Sequence, residues 1–172
     1  FLFAAAGAVA AAMSGASTVE VYESGIGAMN LPLMAGMVGS KATKSCHPEF
    51  LRRMSRLVSL VAGREIAFHL PFVSKTKGEI VRHLASEGLP DLALSTASCV
   101  HYPLREKLHK QCGVCPACIL RRQTLRVAGI GEREGTYKHD LFGPATTVNQ
   151  ITEENLQYLK AFLMQVVHLG DL

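Results

Sequence analysis

The chain has 172 residues, of which 48% are hydrophobic and 19% charged, and its formal net charge at pH 7 is +4. The apolar content excludes a disordered protein, and the length suffices for one domain with a buried core or for a piece of a larger protein. The charge excess is too mild to establish a nucleic-acid partner, because no aromatic residues lie between the basic ones to stack on bases.

The chain opens on small and apolar residues, from Phe1 to Met13, with no initiator methionine and no basic segment. This stretch does not fit a signal peptide, and it is too short to span a bilayer, so we expect no membrane partner. It is typical of a helix entered in mid-chain. We therefore expect the sequence to be a fragment of a longer protein.

A strand and a long loop are predicted next. Residues 18–23 alternate valines with polar neighbours, which predicts a strand. The following segment, from Ser24 to Ser45, is rich in glycine and predicts a loop of the kind that lies over a site. Its Gly25-Ile-Gly27 sequence is only a weak match to a phosphate-binding loop, since no helical pattern follows it.

Three further elements have clear boundary signals. A helix runs from Pro48 to Gly63, with apolar residues at three- and four-residue spacing. A short apolar strand covers residues 65–70, and a capping box at Thr76 and Glu79 starts another helix. The alternation of helices and strands predicts an α/β fold with a parallel sheet, and ligands at the carboxyl ends of its strands.

Four cysteines within twenty residues are the strongest functional signal. Cys99 precedes two overlapping C-x-x-C steps formed by Cys112, Cys115 and Cys118. This spacing is typical of structural zinc, in which four thiolates close the coordination sphere and leave no position for a reacting water. The alternatives are a redox pair, which needs a thioredoxin-like strand before it, and disulfides, which need a secreted chain.

The other residues near the cysteines are less informative. His101 and a second histidine at position 109 could replace one sulfur, but a place on the loop surface is the simpler interpretation. A helix is predicted from Pro116 to Ala128, followed by an irregular segment over residues 129–149. A last helix starts near Thr152, whose hydroxyl suits the cap position.

Four segments, taken in chain order, resemble the carboxyl half of the 7-cyano-7-deazaguanine synthase family of PP-loop ATP pyrophosphatases. They are residues 46–50, 70–81, 96–99 and 112–118, within a resemblance that covers residues 18–129. The cysteine segments are the specific part, because this family carries a lone cysteine followed by C-G-x-C-x-x-C as a structural zinc site. The Pro-Phe-Val-Ser-Lys-Thr-Lys-Gly-Glu-Ile segment is shared more widely among PP-loop enzymes.

The resemblance implies a three-layer α/β PP-loop fold, here incomplete. Residues 1–98 would form the carboxyl half of the nucleotide-binding domain, and residues 99–172 a helical zinc-binding subdomain. The implied activity belongs to queuosine biosynthesis: ATP with Mg²⁺ activates the carboxylate of a 7-deazaguanine-type substrate, ammonia forms the amide, and dehydration gives the nitrile. The unpaired fifth thiol, Cys46, suits a reducing cytosol, so we expect a cytoplasmic protein, and a second copy of the chain is a candidate partner.

The resemblance also implies roles for four residues outside the cysteine group. Lys75 would neutralise phosphate charge during transfer. Glu23, Gly25 and Asn30 lie where the family's strand passes into its substrate loop, and they would contact the ligand. For Lys75 and Glu23 the competing interpretation is a solvated side chain. Cys46 matches a family cysteine and carries no assigned role.

The sequence departs from the family in two places. The motif S-G-G-x-D-S, which grips ATP phosphates, is absent from the 172 residues, so this chain alone should not turn over ATP. The loop after Glu23 and the spacing from Cys99 to Cys112 also differ, so the substrate need not be the family's own.

Two other functions stay open: a tRNA-modifying PP-loop enzyme and a non-catalytic zinc module that serves as an adaptor. The first would hold RNA with two groups of basic residues, and its affinity for RNA would fall strongly as the salt concentration rises. These residues are Lys41, Lys44, Arg52, Arg53 and Arg56, and Arg105, Lys107, Lys110, Arg121, Arg122 and Arg126.

Overall fold

The computed structural model describes residues 1–30, 44–101, 110–141 and 151–170. The chain divides into two compact units, residues 1–80 and 81–172. The predicted boundary after residue 98, between the nucleotide-binding half-domain and the zinc-binding subdomain, stays a prediction. The elements are α1 (Leu2–Ser14), β1 (Thr18–Glu20), α2 (Gly25–Met29), α3 (Pro48–Ala62), β2 (Ala67–His69), α4 (Lys77–Ser86), α5 (Pro90–Ser95), α6 (Pro116–Val127) and α7 (Glu153–Gly170).

The first unit is built on a small parallel sheet. Strands β1 and β2 pair in parallel, with Thr18 opposite Ala67 and Glu20 opposite His69. Helices α1 and α3 pack against the sheet and against each other. The alternation of helices and strands therefore gives the parallel pairing that the sequence predicts, in a mixed α/β structure. The complete three-layer arrangement stays a prediction, since the described residues form two strands.

Local chemistry sets the ends of α3. Pro48 occupies the first turn, and the His47 ring at the N-cap accepts a hydrogen bond from the backbone of Glu49 at 3.2 Å. The helix ends at Gly63, whose φ of 65° lies in the left-handed region that glycine adopts without strain. Its buried face carries Leu51 and Met54.

Two serines of α3 hold β2 in place. The Ser59 hydroxyl accepts from the backbone N–H of Ile66 at 2.9 Å and donates to its carbonyl oxygen at 3.2 Å. One turn earlier, the Ser55 hydroxyl accepts from the N–H of Phe68 at 2.9 Å. Helical side chains thus satisfy backbone groups of Ile66, just before β2, and of Phe68 within it, which another strand would otherwise satisfy.

The structure departs from the predicted elements in four places, one of which is β2, which is shorter than the predicted strand over residues 65–70. Strand β1 ends at Glu20, three residues earlier than predicted, and the short helix α2 forms where a loop was predicted. Helix α5 is an addition, and it begins with Pro90 in the first turn. The rest of the predicted loop, residues 31–43, lies outside the described residues, as do residues 142–149 of the predicted irregular segment.

Helices α4, α6 and α7 form where the sequence predicts helices. The capping box forms as expected, because the Thr76 hydroxyl accepts from the N–H of Glu79 while the Glu79 carboxylate accepts from the N–H of Thr76 at 2.7 Å. Over the described ranges, none of the helices is both long enough and apolar enough to cross a membrane.

Candidate metal centre and ligand edge

The four predicted cysteines lie together in the second unit. All four are buried, and their sulfur atoms lie within 4.8 Å of one another. The sulfurs of Cys112 and Cys118 are 3.8 Å apart. A zinc ion with Zn–S bonds of about 2.3 Å in tetrahedral geometry requires sulfurs about 3.8 Å apart, so the cluster fits this metal. The same separation is far longer than the ~2.05 Å of a disulfide bond.

The local backbone, a turn followed by the start of α6, positions three of these cysteines. Cys115 is the N-cap of α6, and Cys118 lies in the first turn of the helix behind Pro116. Cys112 precedes Gly113, whose φ is 83° and whose added Cβ would lie 1.9 Å from the carbonyl oxygen of His139. The C-x-x-C turn therefore needs glycine both for its conformation and for the close approach of another backbone segment.

The fourth cysteine is brought in by a tertiary contact. Gln111 is 5% exposed, and its side-chain oxygen accepts from the N–H groups of Ser98 at 2.9 Å and Cys99 at 3.2 Å. The N–H of Cys112 in turn donates to the sulfur of Cys99 at 3.3 Å. Cys99 is thus fixed beside Cys112 although 13 positions separate them in the sequence.

The sulfurs share hydrogen bonds and shift each other's pKa. The bond with Cys112, followed by that with Cys118, holds the pKa of the Cys115 thiol far below its ordinary value. The bond with Cys115 raises the pKa of Cys112 to about 11, and bonds with Cys112 and Cys115 also raise the pKa of Cys118. A cation bound by all four thiolates must therefore displace protons, so its affinity falls as the pH falls.

Residues 132–140, between α6 and α7, form a supporting segment for the cysteine cluster. The half-buried Tyr137 packs against the cysteines, and its hydroxyl bonds to the carboxylate of Glu132 at 2.5 Å. The Arg122 guanidinium lies 4.9 Å from the centre of the Tyr137 ring and pairs with Glu132 at 3.0 Å and Asp140 at 2.5 Å. Burial, then the bond to Glu132, raises the pKa of Tyr137. These contacts bind the segment to α6 one turn after Cys118.

The other cysteine and histidines do not join the cluster in the described part of the chain. Cys46 is free and half-buried, and it lies in the first unit next to the N-cap residue His47. His101 is exposed. The histidine at position 109 lies outside the described residues, so its predicted place on a loop surface stays a prediction.

The predicted ligand residues of the first unit lie beyond the carboxyl ends of its strands. The backbone N–H of Gly25 donates to the carbonyl oxygen of Lys75 at 3.0 Å, which brings the two predicted positions together. The Lys75 ammonium lies 5.7 Å from the centre of the Phe72 ring. Phe72 in turn contacts the Tyr22 ring, with centroids 5.6 Å apart. Two aromatic rings and an ammonium group therefore share this edge.

Glu23 and Asn30 make contacts within the protein. One carboxylate oxygen of Glu23 accepts from the N–H of Ser24 at 2.9 Å and pairs with the Lys77 ammonium at 3.3 Å. Asn30 ends α2 with a φ of 41°, and its carbonyl oxygen accepts from Lys44 at 2.9 Å. Their contact with a ligand stays a prediction.

Sequence reasoning missed four residues that organise these sites: Tyr22, Phe72, Lys77 and Gln111. Lys77 carries a usable signal, because it follows Lys75 by two positions in the Lys-Thr-Lys sequence. The two aromatic residues flank segments that were predicted to reach the ligand edge. The glutamine gives no local signal, since its partners are set by tertiary structure.

The family of the chain follows from comparison with known proteins. Residues 17–129 match the family model described as queuosine biosynthesis protein QueC. A 7-cyano-7-deazaguanine synthase of Anaeromyxobacter sp. (strain Fw109-5) is 34% identical over 110 residues, which cover 61% of this chain and 45% of the relative. That of Methylococcus capsulatus is 31% identical over 112 residues, or 62% and 48% of the two chains. The chain spans about half the length of these curated relatives. It belongs to the QueC family.

Proposed function

We propose that the protein acts in queuosine biosynthesis as a 7-cyano-7-deazaguanine synthase, converting the carboxylate of a 7-deazaguanine-type substrate to an amide and then a nitrile. The observation that carries this proposal is the family match over residues 17–129, which includes both the four-cysteine cluster and the ligand edge. In this proposal zinc is structural, because four thiolates leave it no position for substrate. Buried free thiols suit a reducing compartment, so we place the protein in the cytoplasm.

ATP with Mg²⁺ would supply the activation that makes the carboxylate electrophilic. The motif S-G-G-x-D-S, which would grip the phosphates, does not occur in the 172 residues. In this proposal the phosphate loop that the reaction requires is supplied by residues other than these 172. The activity is accordingly proposed for the protein as its gene encodes it, with ammonia as the nitrogen donor.

The ligand edge of the first unit supports a role in holding a planar, charged substrate. The rings of Tyr22 and Phe72 offer apolar surface, and the Tyr22 residue is 66% exposed. Lys75 lies at this edge with an ammonium group that can stabilise negative charge developing on phosphate or carboxylate oxygens. Lys77 is partly neutralised by Glu23 at 3.3 Å. We therefore assign the larger share of charge stabilisation to Lys75.

The contacts of the basic residues disfavour RNA as the substrate. Arg52 and Arg53 both pair with Glu49, at 2.7 and 2.8 Å. Arg121 is buried, and Arg122 pairs with two carboxylates. Four of the basic groups that could bind phosphates are thus engaged within the protein, and Lys41, Arg105 and Lys107 lie outside the described residues.

The test is an activity assay of the protein as its gene encodes it. With ATP, Mg²⁺, ammonia and 7-carboxy-7-deazaguanine, we expect release of pyrophosphate and a nitrile product detected by mass spectrometry. The Lys75→Ala variant should lose activity about a hundredfold, whereas Lys160→Ala, which removes an exposed lysine of α7, should retain it. No pyrophosphate above background with this substrate would contradict the proposal, and equal rates for both variants would remove Lys75 from the reaction.

A further inference from the structure

Gln111 connects the two parts of the chain that carry the cysteines. Its side-chain oxygen accepts from the N–H groups of Ser98 and Cys99, at 2.9 and 3.2 Å. Its main chain is bonded on both sides to the supporting segment: its N–H donates to Thr136 at 3.0 Å, and its carbonyl accepts from Lys138 at 2.8 Å. All of this occurs at a residue that is 5% exposed.

The four cysteines differ in how they reach their positions. Cys112, Cys115 and Cys118 belong to one continuous turn and helix start, so local chain geometry can assemble three sulfurs. Cys99 stands 13 positions before Cys112. Its backbone is held at the cluster by the Gln111 side chain, and its sulfur by the N–H of Cys112. The fourth ligand therefore depends on a contact that the other three do not need.

We propose that Gln111 is the positioning residue that sets the coordination number of the metal centre. Its side-chain oxygen holds the backbone of Cys99 so that the fourth sulfur completes a closed, four-thiolate site. Without that oxygen, the buried N–H of Cys99 and the partly buried N–H of Ser98 lose their acceptor, and the Cys99 segment is released. The metal would then keep three sulfurs and take water or another light atom as its fourth ligand. This inference rests on the proposed function only in taking zinc as the metal.

The test uses the full chain loaded with Zn²⁺ or, as a spectroscopic substitute, Co²⁺. In Gln111→Leu we expect about tenfold to a hundredfold weaker zinc affinity in competition with a chelator. X-ray absorption should find three sulfurs and one light atom around zinc, and the sulfur-to-cobalt charge-transfer band should weaken. Cys99→Ser should give the same signature. Gln111→Glu keeps an oxygen acceptor and should keep four sulfurs.

The control is Gln123→Leu, which changes an exposed glutamine of α6 and should leave affinity and spectrum unchanged. If Gln111→Leu is insoluble, Gln111→Asn withdraws the oxygen by one methylene and takes its place with the same two outcomes. Four sulfurs and wild-type affinity in the Gln111 variant would overturn the inference. A wild-type chain that binds neither ion would instead refute the zinc centre of the proposed function, which separates the two failures.

Discussion

The backbone N–H of Gly25 donates to the carbonyl oxygen of Lys75 at 3.0 Å, which ties the segment after β1 to the segment after β2. The approach is close: a Cβ built on Gly25 would lie 2.2 Å from the carbonyl oxygen of Val73. This oxygen is a backbone atom, which cannot rotate away as a flexible side chain can. Glycine at this position therefore sets how Lys75 is placed at the ligand edge.

The first prediction concerns this contact. Gly25→Ala should destabilise the protein by about 1–3 kcal/mol, because the added carbon displaces the Val73–Lys75 backbone. Gly131→Ala is the control, since its Cβ meets nothing within 4 Å. Urea unfolding of the two variants provides the measurement. Equal unfolding free energies for Gly25→Ala and Gly131→Ala would show that the segments after β1 and β2 can move apart without loss of stability.

A second glycine allows a sharper comparison, because two glycines share a left-handed backbone and differ in their neighbours. Gly113 has a φ of 83° and would place a Cβ 1.9 Å from the carbonyl oxygen of His139, whereas Gly135 has a φ of 74° and open space. Both alanine variants should lose about 1 kcal/mol of unfolding free energy, because alanine disfavours a left-handed backbone. Only Gly113→Ala should also weaken zinc binding, as measured by chelator competition. Similar zinc affinities in the two variants would contradict the role of the close approach.

The features that the sequence predicted well are those with local causes. Helix α3 follows from Pro48 in its first turn and Gly63 at its end, and the cysteine cluster follows from the spacing of its thiols. Helix α2 was missed, since its glycines read as loop formers. Gly25 is required by a tertiary contact instead, because its Cβ would lie 2.2 Å from the carbonyl oxygen of Val73.

The supporting contacts of the metal centre were beyond sequence reasoning for a different reason. Gln111 and Tyr137 form a parallel bridge between segments that have no strand pattern of their own. Arg122 likewise reads as a solvated basic residue, although it pairs with Glu132 and covers the Tyr137 ring. Such pairings depend on where the cysteine cluster places each segment, so they follow from the fold rather than from local periodicity.

A third prediction concerns the metal. Removing zinc with a chelator, or replacing Cys118 by serine, should lower the thermal midpoint by about 10 °C or more, because the centre joins α6 to the Cys99 segment. Cys46→Ser is the matched control, since this half-buried cysteine lies outside the cluster. Circular dichroism melting with and without chelator provides the measurement. An unchanged midpoint in the stripped protein would exclude a structural metal.

A fourth prediction is a pH dependence in α3. Hydrogen bonds from Arg52 and then Arg53 lower the pKa of Glu49 from 4.5 to about 2. Because the folded pKa lies below the unfolded one, the carboxylate stabilises the protein fully above about pH 4.5, and this contribution is lost as the pH falls toward 2. The effect should be small, since the arginines are largely exposed.

The difference in unfolding free energy between the wild type and Glu49→Gln measures this contribution, and any loss of metal at low pH cancels between the two proteins. We expect the wild type to be the more stable at pH 6, with the difference shrinking at pH 3 and vanishing near pH 2. A difference that stays constant across this range would show that the ion pairs do not stabilise α3.

The last prediction concerns Arg121, a buried charge one turn after Cys118. Its guanidinium donates to the Thr96 hydroxyl at 2.8 Å and to the carbonyl oxygen of Ala93 at 2.9 Å, so it joins α6 to the end of α5. Arg121→Ala would remove both hydrogen bonds and the packing of a buried side chain, and we expect it to cost about 3 kcal/mol of unfolding free energy. Arg121→Lys should recover only part of this, because one ammonium group cannot reproduce the planar fork.

Arg126→Ala is the control for Arg121→Ala, because it removes an exposed arginine from the same helix and should change stability by less than about 0.5 kcal/mol. Urea unfolding of the zinc-loaded proteins provides the measurement. If Arg121→Lys matched the wild type, a single positive charge would suffice, and the two-pronged contact with Thr96 and Ala93 would carry no stability of its own. A full loss in both Arg121 variants, with none in the control, would instead assign the stability to the guanidinium fork that joins α5 to α6.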